Sequence, residues 1–222
     1  MTEPWDERPQ PASPAPPRPR ALLTTPRIIA IGASTGGPQA LSSLLHGLSP
    51  HLDNIPVIVV LHMPPDFTDV VSAHIERATG RVTRAARNGE EIQPGRIYFA
   101  PGHCHLKVVK LGTKQILLHC ESAPENFCRP AVNVLFRSVA QVYGPGALAI
   151  VLTGMGTDGL DGARALVEAG GAVIAQDQAS SVVWGMPGAI AQQGLASAIL
   201  PIDAMAVQVA GLLRKRTAGV AA

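Results

Sequence analysis

The chain has 222 residues, of which 46% are hydrophobic, and a formal net charge of +2. That is enough apolar material for one sizeable core and too little basic excess for a nucleic-acid surface. No apolar run reaches the roughly 18 residues of a spanning helix, and the N-terminus lacks the apolar stretch of a signal peptide. A cytoplasmic protein is therefore expected.

Residues 1–26 hold eight of the 20 prolines and few large apolar groups. Such a stretch cannot bury enough surface to offset its chain entropy, so it is predicted to be a disordered tail or linker. The folded domain is predicted over residues 27–217, with a short tail at 218–222. Ile28 to Ile31 is continuously apolar and reads as a fully buried strand. It runs into Gly32-Ala33-Ser34-Thr35-Gly36, a G-x-S-x-G turn. From Pro38 to Leu48, residues Ala40, Leu41, Leu44, Leu45 and Leu48 recur at helical spacing, with Pro38 suited to a first turn. Pro56 to Leu61 is a second buried strand, ending at His62-Met63-Pro64-Pro65, and a helix is predicted from Thr68 to Ala78.

The middle of the chain changes character. Short β-rich segments at Arg96–Ala100, Leu106–Val109 and Gln115–His119 are separated by Pro and Gly. They read as a strand followed by a hairpin inserted into a wound sheet. A helix is predicted over Pro130–Val142, a buried strand over Ala147–Leu152 and a helix over Gly162–Ala169. Then come a strand at Ala172–Ala175, a helix at Pro187–Gln193, a short strand at Ile199–Leu200 and a closing helix at 203–216. Buried strands alternating with helices define an α/β fold, a three-layer, doubly wound, mostly parallel sheet with one antiparallel hairpin.

In such sheets the functional groups gather outside the carboxyl ends of the strands. Ser34 follows the first strand, His62 the second, and Asp158 lies in the Thr153-Gly-Met-Gly-Thr-Asp158-Gly loop after the strand at 147–152. These are the three side chains of activated serine catalysis. Of the seven histidines, only His62 combines a buried strand end with a turn that fixes its position. Asp177, after another strand, competes with Asp158, whereas Asp161 reads as a solvated or capping carboxylate. Asp158 itself could cap a helix as well as serve the site. The Gly-rich turn could also cradle a phosphate, but the P-loop Lys-Ser/Thr and the G-x-G-x-x-G spacing are missing. Cys104, between His103 and His105, has a metal-like look but no second group of ligands in the sequence, so structural or surface roles are expected there. The three cysteines, Cys104, Cys120 and Cys128, form neither a C-x-x-C pair nor an even disulfide framework.

Five segments carry a wider resemblance: Ile31–Pro38 (IGASTGGP), Leu61–Thr68 (LHMPPDFT), Arg129–Phe136 (RPAVNVLF), Leu152–Gly159 (LTGMGTDG) and Ala175–Pro187 (AQDQASSVVWGMP). In this order they resemble the bacterial chemotaxis protein-glutamate methylesterases, across nearly all of residues 27–210. The resemblance implies a serine hydrolase acting on methylated glutamates of chemotaxis receptors and, in some members, deamidating receptor glutamines. It places the nucleophile on Ser34, the base on His62, the orienting acid on Asp158 and an oxyanion donor on the Met155 backbone N–H. Thr35, the residue after the nucleophile, is the oxyanion donor suggested by the turn itself. No metal or organic cofactor is needed. Members of the family usually carry a receiver domain ahead of this unit, so a receiver in trans is a possible partner. At Asn133 the family more often has Asp, a difference expected to matter for packing or substrate contact. Met63, Phe67, Met155, Trp184 and Met186 are candidate lining of a groove for a receptor helix.

Overall fold

The structure, a computed structural model, describes residues 25–218 and the side chains of residues 25–214. All but the last two residues of the expected N-terminal tail, and all but the first of the C-terminal one, lie outside that range. The strands are β1 (Ile28–Ala33), β2 (Val57–Leu61), β3 (Thr83–Ala85), β4 (Glu90–Glu91), β5 (Ile97–Phe99), β6 (His105–Leu111), β7 (Lys114–Cys120), β8 (Ala147–Val151), β9 (Ala172–Gln176) and β10 (Ala198–Leu200). The helices are α1 (Gly37–Leu48), α2 (Thr68–Thr79), α3 (Val132–Tyr143), α4 (Leu160–Glu168), α5 (Met186–Gln192) and α6 (Ile202–Ala218).

Seven strands form one parallel sheet in the order β10-β9-β8-β1-β2-β5-β3. β1 is its centre and is buried along its whole length, which is why its sequence is continuously apolar rather than alternating. Its side chains divide between two cores. Ile29, Ile31 and Ala33 pack with Leu41, Leu44 and Leu45 of α1 and Met205 and Val209 of α6. Ile28 and Ala30 share the opposite core with Leu135 and Phe136 of α3, Leu166 of α4 and Ile190 of α5. The chain therefore leaves β1 toward one face and β8 toward the other. Between these adjacent strands lies the topological switch point where α/β sheets place their sites.

Two departures from the sequence reading concern the middle of the chain. β3 was not expected, because Thr83-Arg-Ala carries no apolar run; it forms because β5 offers a free edge and takes it as a parallel partner. The predicted hairpin exists as β6–β7, but it is not inserted into the main sheet. With β4 it makes a separate three-stranded antiparallel sheet, while the strand before it, β5, joins the parallel one.

α3 and α4 start side by side, and each lacks a cap from its own N-cap residue. They cap one another instead. Asp158, just before α4, accepts the N–H groups of Val132 and Asn133 in the first turn of α3, at 2.6 and 3.0 Å. Asn133 in α3 returns the favour through Oδ1, which accepts the N–H groups of Gly159 and Gly162 at 3.0 and 2.8 Å. Four orphan donors at two helix starts are thus satisfied by two buried side chains. The close crossing requires Gly162, where an added Cβ would sit 2.7 Å from Phe136 Cβ and 3.0 Å from the Asn133 backbone.

Two stability measurements test this arrangement. Asn133→Ala strands two buried N–H groups and should lower the unfolding free energy in urea by about 2–4 kcal/mol. Gly162→Ala gains about 1 kcal/mol of helix propensity but crowds immovable backbone, and a net loss of about 1–2 kcal/mol is expected. A Gly162→Ala variant as stable as the parent would mean that the two helices have room to separate.

Candidate active site

The five segments singled out in the sequence converge at the carboxyl ends of β1, β2 and β8. β1 pairs with β2 so that Ala33 stands beside Leu61, and the next residues on each strand are Ser34 and His62. His62 N–H donates to Ala33 O at 3.0 Å, and Ser34 N–H donates to Thr153 O at 3.0 Å. Ser34 is thereby fixed between the ends of its two neighbouring strands. Gly154 makes the fit possible, since a Cβ there would lie 2.8 Å from Ser34 Cβ and collide with Met186.

His62 Nε2 lies 2.9 Å from Asp158 Oδ2. Asp158 is 3% exposed, and it holds that contact together with the two α3 N–H groups. An acceptor-only carboxylate takes the ring N–H, so Nε2 is the protonated nitrogen and Nδ1 carries the lone pair. Ser34 Oγ has no hydrogen-bond partner among the described residues. The N–H groups of Thr35 and Met155 are likewise without one, and Met155 is exposed at the site's edge.

The rivals weighed from sequence have other duties. Asp177 accepts the N–H and hydroxyl of Ser180 and braces its own loop. Asp161 is exposed and pairs with Arg164 one turn on. His46 and His74 join α1 to α2 through Ala78 O and Ser42. His105 is fully buried, with Nδ1 accepting the Ala131 N–H and Nε2 donating to Ala123 O. Asn133, also fully buried, caps the start of α4.

Sequence reasoning missed several residues. Thr153, almost fully buried, has its N–H on Gln176 Oε1 and its hydroxyl 2.9 Å from Thr35 O, and that hydroxyl accepts the Val183 N–H at 3.0 Å. It ties the turn after Ser34 to the loop before α5. Cys128 was also missed: its Sγ lies 3.9 Å from His62 Nδ1. It sits on a two-residue turn in which Glu125 and Cys128 exchange both backbone hydrogen bonds and Asn126 and Phe127 have positive φ. Glu125 is clamped by both guanidinium nitrogens of Arg137, whose hydrogen bonds first, and then charge, hold its carboxyl below its ordinary value against the effect of burial. Burial first, then the Asp158 charge, pushes the Cys128 thiol up, so it meets His62 as a neutral thiol. The only sequence signal for this turn was its place just before the Arg129–Phe136 block.

Of the expected groove residues, Phe67 and Met155 are exposed at the rim, and Met63 and Trp184 are half-buried. Met186 is a correction: it is 1% exposed, and its sulfur packs behind Gly154 as part of the core. Phe127, fully exposed at the tip of its turn, and Val182 extend the apolar rim.

Two clusters could hold a metal, each with its donor atoms within 4.8 Å of one another. One is His62, Cys128 and Asp158. The other is His103, Cys104 and His119, where β7 brings a third side chain to the pair next to each other in sequence. His105 is not part of it.

A sequence model of the CheB methylesterase family matches residues 29–209. The chain is 49% identical over 189 residues to a protein-glutamate methylesterase/protein-glutamine glutaminase of Rhodopseudomonas palustris, covering 85% of this chain and 48% of that protein. It is 51% identical over 192 residues to one from Rhodospirillum rubrum, covering 86% and 50%. The chain thus spans about half the length of these curated relatives. The crystal structure of the Thermotoga maritima CheB methylesterase catalytic domain superimposes with a TM-score of 0.82 at 35% identity, covering 85% of this chain and 100% of that one. With the parallel sheet, the switch-point cluster and these similarities in agreement, the chain belongs to the CheB methylesterase family.

Proposed function

We propose that this chain is a serine hydrolase that removes methyl esters from glutamate side chains of chemotaxis receptors, and that it also deamidates receptor glutamines. The carrying observation is the His62–Asp158 hydrogen bond of 2.9 Å beside Ser34, on adjacent ends of paired strands. The names of the relatives supply the substrate class. Receptor helices are the partner, with a receiver domain in trans as a further one, and the cytoplasm is the compartment. Among the described residues no helix is long and apolar enough to cross a membrane, which fits that compartment.

Each residue has a defined task in the cycle. Ser34 Oγ attacks the ester carbonyl carbon while His62 Nδ1 takes its proton. Asp158 holds the ring with Nε2–H toward itself and stabilises the imidazolium that forms. The unpaired N–H groups of Thr35 and Met155 receive the oxyanion, each lowering the barrier by about 3 kcal/mol. His62 returns the proton to the leaving methoxide, and methanol departs. Water then attacks the acyl-enzyme by the reverse sequence of proton transfers, freeing glutamate and Ser34. With a glutamine substrate the leaving group is ammonia. The exposed rim of Phe67, Phe127, Met155 and Val182 suits a partly apolar helix lying across the site.

Methanol release from methylated receptor membranes tests this reading. Ser34→Ala and His62→Ala should each lower the rate by at least about a thousandfold. Release that survives in Ser34→Ala would overturn the assignment of the nucleophile.

The Cys128 thiol facing His62 raises a second reading, a thiol nucleophile. The unpaired N–H groups beside Ser34 favour the hydroxyl. Cys128→Ser should therefore keep methanol release within about threefold of the parent, equivalent to less than 1 kcal/mol in the barrier. Loss of release in Cys128→Ser with retention in Ser34→Ala would exchange the two roles.

A further inference from the structure

Outside the candidate active site, the densest group of metal-binding side chains lies where β6 begins and β7 ends. β6 and β7 are antiparallel, with Leu106 opposite His119. Cys104 lies in the bend just before β6, at the same end of the hairpin as His119. His103 belongs to the turn entering β6, and its ring meets the His119 ring edge-on with centroids 6.3 Å apart. The donor atoms of His103, Cys104 and His119 all lie within 4.8 Å of one another.

The His119 ring is already set for a metal. Its Nε2 lies 2.8 Å from Ala86 O, and a carbonyl can only accept, so that nitrogen carries the proton. Nδ1 is left with a lone pair to offer. A backbone carbonyl orienting the far nitrogen is the usual support of a metal-bound imidazole. The His119 backbone N–H is also held, by Asn88 Oδ1 at 3.0 Å. His103 is exposed and gives an ion a route in, while Cys104 is fully buried behind it. No described hydrogen bond occupies the side chain of His103 or Cys104.

We propose that His103, Cys104 and His119 form a binding site for a thiophilic divalent cation, Zn2+ foremost, with water completing the coordination. One thiolate and two imidazoles are a donor set that selects zinc over the hard cations magnesium and calcium. Binding releases the thiol proton of Cys104 to solvent and forms the metal–sulfur bond, with no change of oxidation state. The ion joins the start of β6 to the end of β7. His105, the residue after Cys104, holds both Ala123 O and Ala131 N, the two sides of the segment that carries Cys128. Occupancy therefore stiffens the frame behind that segment.

The test uses the whole chain, loaded with Co2+ as a spectroscopic probe and with Zn2+ for affinity and thermal unfolding. One ion per chain is expected, with a sulfur-to-cobalt charge-transfer band and a raised thermal midpoint. His103→Ala, at an exposed position that should not disturb folding, should weaken Zn2+ binding by at least about tenfold. Cys104→Ala should abolish the charge-transfer band, and Cys128→Ser should leave both binding and band unchanged. The absence of a stoichiometric thiolate band overturns the proposal. So does a band that survives in Cys104→Ala and disappears in Cys128→Ser, because the ion would then sit on His62 and Cys128. Methanol release plays no part in the readout, so the outcome does not depend on the esterase reading.

Discussion

A buried carboxylate at the start of α4 is the constraint on which the rest of the site depends. Removing an ionised Asp158 from water costs several kcal/mol unless its oxygens are fully engaged. Here they are engaged by two backbone N–H groups and one imidazole. The N–H donors come from the first turn of α3, where the helix dipole also favours negative charge. The carboxylate therefore serves two structures through one set of contacts: it closes the start of α3 and it orients His62. Asn133, which does the same for α4 without a charge, makes the arrangement reciprocal.

This pairing explains why the α3–α4 crossing is so close and why small residues occupy it. Were the helices to separate, four backbone donors and one carboxylate would lose their partners together. The same tightness recurs at the carboxyl end of β8, where Gly154 lets that loop approach Ser34, and where Thr153 and Gln176 join three loops by hydrogen bonds. Local backbone geometry, rather than side-chain bulk, holds Ser34 against its neighbours. The exposed apolar side chains then stand outside this frame, on the turns, where they can meet a partner without contributing to the core.

The neighbourhood of His62 has a second layer. The turn bearing Cys128 is fixed by the Glu125–Arg137 pair on one side and by the His105 hydrogen bonds on the other. Phe127 occupies a left-handed conformation at its tip, a conformation that costs a bulky L-residue about 1–2 kcal/mol. A large apolar side chain held in an unfavourable conformation and fully exposed contributes nothing to folding that a glycine or asparagine would not supply better.

The sequence by itself determined the alternation of buried strands and amphipathic helices, because burial on both faces leaves continuous apolar runs and helical packing leaves a 3.6-residue period. It also marked Ser34 and His62 as strand-end residues, since each follows such a run, and Asp158 as a member of the loop after a third run. Tertiary structure alone decided what those residues touch. No periodicity reports that Asp158 caps α3 rather than α4, that Asn133 caps α4 in return, or that Cys128 faces His62. Those contacts join residues distant in the chain and depend on how two helices and three loops meet. For the same reason β3 and the separate hairpin sheet escaped the sequence reading: a short edge strand exists through its partner's unsatisfied backbone groups. His119 reached Cys104 because antiparallel pairing brings the end of β7 beside the start of β6.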